Sequence, residues 1–240
     1  MNAIPKLSPP RLASYDEIAS EYYDPLRHPT CASLRELSAA YLAPRIAQAS
    51  GGARSLVEVG AGQSLLAPFW KAAGGDLRDV TLLDSSPSML AYSAEWEQLG
   101  ASLVVADATT TGLPAGSVDV LVSSLGDPYN SPAFWQEVSR ILKPGGTCHF
   151  TSPAFEWAMA FRDEENLSTA EFLRADGAEL LMPSPVYKQL DQLRMFAGAG
   201  LRLIDEEALT RQALASKPAP KLMCVPFDVP VVRGYSLRGP

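Results

Sequence analysis

The chain has 240 residues, 47% hydrophobic and 20% charged, which is long enough and apolar enough to bury the core of a single globular domain. Its formal net charge of −7 disfavours nucleic acid as a partner, because phosphate binding needs clustered Lys and Arg and these residues are dispersed. No apolar run is long enough to span a membrane, no signal-peptide core is recognisable and the three cysteines are scattered, so we expect a cytoplasmic protein without membrane contact or metal site.

The first 50 residues are expected to form a helical cap. Residues 1–12 contain three prolines and are predicted to be a loose arm. Ser14 is typical of a helix N-cap, and Glu17 stands in the capping-box position three residues later. After a tyrosine-rich segment that is broken by prolines, apolar residues at helical spacing predict a second helix over residues 31–50.

From residue 51 onward, strands and helices alternate, which predicts a parallel sheet with helices on both faces. The predicted strands are 55–59, 79–83, 102–105, 118–123 and 146–151. The predicted helices between them are 64–73, 87–99 and 132–142. After residue 151 we expect, in order, an insertion with a helix near 168–175, a helix near 187–198, and two late strands at 201–205 and 221–225. We therefore expect one domain, 1–240, divided into a cap or lid (1–50), a core (51–226) and a tail (227–240).

A glycine turn follows the first of these strands. Gly60 and Gly62 permit backbone angles and close approaches that a side chain would block. The helix that opens after Ser64 leaves free amide groups at the turn, which favour the polar or anionic end of a ligand. Strand, turn and helix together indicate the nucleotide site of an open α/β sheet, although an ordinary strand-to-helix turn is the alternative for this stretch taken alone.

The run Glu58-x-Gly60-x-Gly62-x-Ser64 resembles motif I of the class I S-adenosylmethionine (SAM) methyltransferases, Glu/Asp-x-Gly-x-Gly-x-Gly, with Ser64 in place of the third glycine. A dinucleotide fingerprint would need a small residue where Leu65 stands. Further runs resemble later motifs of the family in the same order, at 84–90, 106–108, 113–120 and 137–146. The resemblance covers about residues 13–226, and it implies a seven-stranded Rossmann-like sheet, mostly parallel with the last strand antiparallel.

The same resemblance implies that the cofactor is S-adenosyl-L-methionine, with S-adenosyl-L-homocysteine as the product. Asp84 lies 22 positions beyond Gly62, where a carboxylate can accept both ribose hydroxyls, although an acid at a strand end is often only a helix N-cap. The family uses the acid at Asp107 to hold the adenine amine. The implied cofactor-binding residues are Tyr15, Tyr22, Glu58, Gly60, Ala61, Gly62, Asp84, Ser85, Met89, Asp107, Ala108, Ser123 and Ser124; the doubled Tyr22-Tyr23 leaves the exact tyrosine open.

Three residues are candidates for catalysis. Asp127-Pro128-Tyr129 follows the fourth predicted strand, at the edge where open α/β sheets place their reacting groups. It is similar to the Asp/Asn-Pro-Pro-Tyr motif of amino-methyltransferases but is one proline short, so Asp127 and Tyr129 are equally well explained as a turn. Histidine titrates near neutral pH and suits a general base, which makes His28 a candidate, although a surface histidine is more common.

We therefore expect a SAM-dependent methyltransferase that acts on an O, N or C nucleophile of a small molecule, as a monomer or homodimer. A methyltransferase acting on amino groups of nucleic acid or protein is one alternative, and a non-catalytic SAM-binding or partner-binding protein is another. Transfer from a sulfonium depends mostly on positioning and desolvation, so a general base is needed only for some acceptors.

Overall fold

The computed structural model of the protein describes residues 11–163 and 165–240. Its strands are β1 (Arg11–Leu12), β2 (Leu56–Val59), β3 (Val80–Asp84), β4 (Ser102–Val105), β5 (Val118–Ser123), β6 (Leu142–Pro153), β7 (Thr169–Leu173), β8 (Glu179–Pro183), β9 (Arg202–Leu209) and β10 (Val232–Arg238). Its α-helices are α1 (Tyr15–Tyr22), α2 (Pro29–Ala49), α3 (Leu66–Ala72), α4 (Pro87–Leu90), α5 (Ala94–Gln98), α6 (Pro132–Ile141), α7 (Phe155–Ala158), α8 (Gln189–Gly198) and α9 (Pro220–Met223).

Seven strands form the main sheet in the order β4-β3-β2-β5-β6-β10-β9. The first five are parallel, and β10 runs antiparallel to both β6 and β9. All four residues of β2 are buried, as expected for a strand covered on both faces. The chain leaves β2 and β5 in opposite directions along the sheet, so their carboxyl ends form the crevice where open α/β sheets bind ligands. The predicted fold is confirmed.

The end of the sheet differs from the prediction. Residues 221–225, predicted as a strand, fall largely in the short helix α9, which begins at Pro220. Proline is favoured at the first position of a helix, because its missing amide hydrogen is not needed there. The last strand is β10, in the segment expected to be a tail, and Tyr235 pairs with Phe150 of β6. The core therefore extends to residue 238, and its expected end at residue 226 was wrong.

The insertion also differs. The helix predicted near 168–175 is strand β7, which pairs antiparallel with β8, while β8 pairs parallel with β1 in a separate three-stranded sheet. Phe172 is buried between exposed Glu171 and Leu173, and Gly177 turns the chain at φ +84°. Tertiary packing of the alternating apolar side chains here overrides the helical propensity of the Ala- and Glu-containing segment.

The predicted helical cap divides into two parts. Helix α1 begins at Ser14, whose capping box with Glu17 is present as predicted. Helix α2 is not a lid, since Leu37 and Tyr41 are fully buried in the main core. Most of the predicted loose arm lies outside the described residues, and its last two residues form β1. Of the helices that the structure describes, none is both long and apolar enough to cross a membrane.

Candidate functional site

A cavity of about 370 Å³ lies at the carboxyl ends of β2, β3 and β5, under helices α1 and α2. We call it the first cavity. Its lining includes Tyr15, Tyr23, Arg35, Gly60, Asp84 and Tyr129. It therefore occupies the crevice at the point where the strand order reverses, as expected for a nucleotide-type ligand in an open α/β sheet.

The glycine turn forms one wall of the first cavity. Gly60 and Gly62 have φ values of +67° and +42°, in the left-handed region that favours glycine. A Cβ atom on Gly60 would collide with the ring of Tyr129, and a Cβ atom on Gly62 would collide with the hydroxyl of Tyr23. Both conformation and space thus require glycine, as the motif predicts.

Glu58 lies beneath this turn and is not among the residues that line the cavity. Its carboxylate accepts hydrogen bonds from the Ser64 hydroxyl at 2.5 Å and from the backbone amides of Leu65 and Leu66, both at 3.1 Å. It therefore satisfies free amides at the start of α3, the groups that a helix N-terminus leaves without partners. Burial raises the pKa of Glu58, and these hydrogen bonds oppose the increase. The structure gives Glu58 the task of shaping the loop.

Asp84 ends β3 and lines the first cavity. One carboxylate oxygen accepts a hydrogen bond from the Gly62 amide, and the other accepts one from the Ser86 amide, both at 2.9 Å. An ionised carboxylate accepts about four hydrogen bonds, so two bonding positions remain. Burial is the main cause that raises the pKa of Asp84, and the hydrogen bonds from the Ser86 and Gly62 amides oppose it. The carboxylate is thus oriented by backbone amides and retains capacity for a ligand.

The remaining residues of the predicted cofactor site fall into two groups. Those that line the first cavity are Tyr15, Tyr22, Gly60, Ala61, Asp84, Ser85, Met89, Ala108 and Ser124. Asp107 is exposed, and one of its carboxylate oxygens accepts hydrogen bonds from the Thr109 amide at 2.7 Å and the Thr109 hydroxyl at 2.5 Å. Ser123 is buried, and its hydroxyl bonds that of Tyr129 at 2.8 Å. Like Glu58 and Gly62, neither Asp107 nor Ser123 lines the first cavity, and the structure gives each a local partner.

Tyr23 and Arg35 also line the first cavity, although the sequence did not single them out as site residues. The Tyr23 hydroxyl accepts a hydrogen bond from the Gln63 amide at 2.8 Å, which connects the end of α1 to the glycine turn. The Arg35 guanidinium lies 5.2 Å from the centre of the Tyr23 ring and donates to the Gln63 carbonyl. The doubled Tyr22-Tyr23 indicated that Tyr23 could belong to the site. A single arginine within a helix, such as Arg35, carries no such indication.

A second cavity of about 300 Å³ adjoins the first, and four residues line both: Tyr15, Tyr22, Cys31 and Leu125. The β7–β8 hairpin covers it, with Phe172 and Met182 in its lining. Aromatic side chains make up much of its wall, namely Tyr15, Tyr22, Trp157, Phe161 and Phe172. The hairpin, whose first strand β7 was predicted as a helix, thus completes this chamber.

Asp127 is the buried acidic side chain of the second cavity. Burial raises its pKa to about 6, while a hydrogen bond with Ser184 and the positive charge of Arg162 oppose the increase. Arg162 in turn donates to the Ser184 carbonyl at 2.5 Å and to the Ser184 hydroxyl at 2.9 Å. The sequence placed Arg162 and Ser184 in an insertion without recognised motifs, so it gave no signal for them.

Leu125 stands where the two cavities meet and has φ +51°, an uncommon value for a bulky residue. The Thr151 hydroxyl accepts a hydrogen bond from the Leu125 amide at 2.9 Å, and the Thr151 carbonyl accepts one from the Gly126 amide at 2.9 Å. Such a conformation costs about 1–3 kcal/mol and persists where the surroundings enforce it, which is common at functional sites.

The other two predicted catalytic residues have structural partners. The Tyr129 hydroxyl donates to the Val59 carbonyl at 2.7 Å, and burial raises its pKa far above the ordinary value, so it contributes its ring to the wall of the first cavity. His28 lines neither cavity. It precedes α2, stacks on Phe172 with ring centres 4.2 Å apart, and has Nε2 3.5 Å from a Glu21 carboxylate oxygen. The geometry gives His28 a packing role.

Comparisons with known proteins agree with this geometry. Residues 57–150 match the family model described as a methyltransferase domain. A chain of the complex between the Haloferax volcanii Trm112 methyltransferase activator and a methyltransferase is similar with a TM-score of 0.67 at 17% identity, covering 94% of this chain and 96% of its own. A SAM-dependent methyltransferase from Mesorhizobium loti has a TM-score of 0.59 at 21% identity, and the match covers 81% of this chain and 96% of its own. Geranyl diphosphate C-methyltransferase from Streptomyces coelicolor has a TM-score of 0.59 at 15% identity, and the match covers 82% of this chain and 79% of its own. No curated protein sequence matches the chain.

Residues 57–150 thus match a methyltransferase domain, and the whole fold is that of the class I, Rossmann-like methyltransferases, enzymes whose cofactor is S-adenosylmethionine. Among residues 11–163 and 165–240, no three His, Cys, Asp or Glu side chains are grouped so as to hold a metal ion.

Proposed function

We propose that the protein transfers the methyl group of SAM, bound in the first cavity, to a small molecule bound in the second cavity. The observation that carries this proposal is the contact between the chambers, which share Tyr15, Tyr22, Cys31 and Leu125. In-line displacement needs the acceptor atom and the methyl group to meet in a fixed geometry with little water, and two adjoining chambers covered by α1 and the β7–β8 hairpin favour that arrangement.

The residues of the first cavity fit SAM. The glycine turn has no side chains at Gly60 and Gly62 to keep the ligand away from the backbone, and Asp84 has acceptor capacity for the two ribose hydroxyls. Arg35 supplies a positive charge that suits the carboxylate of the methionine part. SAM brings the activated methyl group, and the chain binds it, orients it and excludes water with Tyr15, Tyr22 and Tyr23.

A small acceptor is favoured over a macromolecule. The second cavity is covered on one side by the β7–β8 hairpin and holds about 300 Å³, which suits a small ring system better than a nucleotide within a polymer. The net charge of −7 also disfavours nucleic acid. We place the reaction in the cytoplasm, in a monomer or homodimer, on the sequence features described above.

The experiment uses SAM with a deuterated methyl group, the purified protein and a small-molecule extract of the source cells. We expect formation of S-adenosylhomocysteine and appearance of the label in a low-mass product, and neither with the Gly60→Val variant. Label found only in protein or nucleic acid would contradict the small-molecule assignment. Binding of SAM without turnover in any fraction would favour the non-catalytic alternative.

A further inference from the structure

The carboxylate of Asp127 faces an unusual environment. It belongs to a cavity whose lining includes five aromatic side chains, and it follows the strained Leu125 by two positions, next to the junction of the chambers. A buried carboxylate is costly unless something compensates for the lost water, and this cost is met where a function retains it.

The groups that face Asp127 come from each element packed around it. Tyr15 and Tyr22 of α1, Cys31 of α2, and Tyr129 of the same loop are electrostatically coupled to it, and burial raises the pKa of each of the four. These four side chains are therefore neutral near pH 7, so they place no negative charge beside the Asp127 carboxylate. From the insertion, Arg162 and Ser184 favour its ionised form. Lys221 and Glu171 line the same cavity but are exposed.

We propose that the methyl acceptor is a small phenol-type molecule whose hydroxyl group donates a hydrogen bond to Asp127, with Asp127 as the catalytic base. This inference rests on the proposed function and specifies its substrate class. The aromatic walls fit a flat ring, because offset and edge-to-face contacts between rings are favourable. Phe172 already makes such contacts with Tyr22 and His28, which holds its ring in place.

The transfer step balances without a further reactant. A lone pair of the hydroxyl oxygen forms the new bond to the methyl carbon, and the carbon–sulfur bond breaks with its electrons retained by sulfur. The hydroxyl proton passes to the Asp127 carboxylate, which releases it to solvent when the products leave. A hydroxyl is a weak nucleophile until its proton is removed, so a base contributes most for this class of acceptor.

Arg162 has a positioning role in this scheme. It holds Ser184 by two hydrogen bonds, and Ser184 contacts Asp127. The positive charge of Arg162 also favours the negative charge that the acceptor oxygen gains as its proton leaves, before that charge is neutralised by the new bond to the methyl carbon. Asp127 thus accepts the proton and Arg162 favours the oxyanion, a combination that suits a hydroxyl acceptor.

The test uses 4-nitrophenol as the probe, because its absorption spectrum distinguishes the neutral phenol from the phenolate. It is titrated into the protein with and without S-adenosylhomocysteine at a series of pH values. We expect saturable binding, and an apparent pKa of the bound probe at least one unit above its value in water, because the Asp127 carboxylate disfavours a second negative charge. In Asp127→Asn, the same pKa should fall by at least one unit relative to the wild type, since Arg162 then acts alone.

The matched control is Asp228→Asn, the same chemical change at an exposed residue, and the bound probe should titrate there as in the wild type. Retained affinity of Asp127→Asn for S-adenosylhomocysteine, within about twofold, shows that this variant folds. An equal probe pKa in Asp127→Asn and wild type would overturn the proposal, as would no saturable binding by wild-type protein that binds S-adenosylhomocysteine. If the wild-type protein failed to bind S-adenosylhomocysteine, the proposed function would be wrong. The titration of 4-nitrophenol without S-adenosylhomocysteine would then still test the role of Asp127.

Discussion

The hydroxyl of Tyr23 accepts a hydrogen bond from the Gln63 amide at 2.8 Å, in the space that a side chain on Gly62 would occupy. The end of α1 is thereby fixed to the glycine turn by a contact that depends on a missing Cβ. Arg35 adds a second link, since it contacts the Tyr23 ring and the Gln63 carbonyl. The helix that covers the first cavity and the loop that forms its wall are thus a single unit.

The first prediction is that Tyr23→Phe weakens SAM binding about three- to tenfold. The change leaves the Gln63 amide without its partner, and a hydrogen bond of this kind contributes about 0.5–1.5 kcal/mol. Calorimetric titration with SAM measures the effect. Tyr187→Phe is the control, because it also removes a hydroxyl hydrogen bond, to the Asn130 carbonyl, but does not line the first cavity. Equal affinities in Tyr23→Phe and wild type would show that the link does not support binding.

The second prediction separates the shape of the glycine turn from its stability. Gly60→Val and Gly62→Val should each abolish measurable SAM binding, because the new side chains meet Tyr129 and Tyr23 and the positive φ values disfavour them. Ser64→Gly should retain SAM binding yet lower the free energy of unfolding by about 1–2 kcal/mol, since the Ser64 hydroxyl donates to Glu58 and accepts from the Ala67 amide. SAM titration and urea unfolding on the same samples distinguish the two effects. Normal SAM binding by the folded valine variants would refute the assigned site.

Much of the fold could be predicted because it depends on local patterns. The glycine turn, the strand that precedes it and the capping box at Ser14 are each encoded within about ten residues. The hairpin around Phe172 could not be predicted, since its strand state depends on packing against α1, about 150 residues earlier in the chain. Strand β10 was missed for a similar reason, because it pairs on one side with β6, which lies far from it in the chain.

The sequence predicted where the backbone of the candidate site lies better than it predicted which way the side chains point. Asp84 was correctly placed at the end of its strand, and it faces the first cavity. Glu58 belongs to the same motif, but its carboxylate turns away from the ligand side to the amides of α3, and a motif records residue type without side-chain direction. Arg162 and Ser184 reach Asp127 only through the insertion, whose path the sequence does not reveal.

The third prediction compares two carboxylates on two strands of the main sheet, β3 and β5. Asp84→Ala should weaken SAM binding by about 1–3 kcal/mol, because the ribose hydroxyls lose their acceptor and the Gly62 amide loses its partner. Asp119→Ala should leave the affinity unchanged, since Asp119 bonds Lys143 and the Arg54 amide and does not line the first cavity. Isothermal titration on both variants is sufficient. A loss of the same size in Asp119→Ala would mean that general destabilisation causes the effect.

The fourth prediction follows from the pKa of Asp127, which burial raises to about 6. Because the folded state holds this proton more tightly than the unfolded state, its contribution to stability is present at low pH and is lost as the pH rises through about 4 to 6. Asp127→Asn lacks this loss, so its free energy of unfolding relative to wild type should rise by up to about 3 kcal/mol between pH 4 and pH 7.5. Urea unfolding at the two pH values measures the difference. A constant difference would show that the carboxylate is not desolvated.

The last prediction concerns the hairpin that closes the second cavity. Phe172 of the hairpin is buried against α1, with its ring centre 6.3 Å from that of Tyr22 and 4.2 Å from that of His28. Truncation of such a ring removes packing contacts worth about 3–5 kcal/mol in a core, and less where the surroundings can relax. Phe172→Ala should therefore open the three-stranded sheet locally while the seven-stranded sheet remains folded, because the two sheets share no strand.

Hydrogen exchange measured by mass spectrometry tests this directly. In Phe172→Ala, the amides of β7 and β8 should exchange at least tenfold faster, with those of β2 and β5 unchanged. The control is Leu173→Ala, the adjacent residue, whose side chain is 62% exposed and should matter little. If the hairpin moves as a lid over the acceptor, affinity for 4-nitrophenol should fall in Phe172→Ala more than affinity for SAM, because the hairpin lines the second cavity and not the first. Uniformly faster exchange across both sheets would instead mean that Phe172 belongs to the global core and that the hairpin has no independent motion.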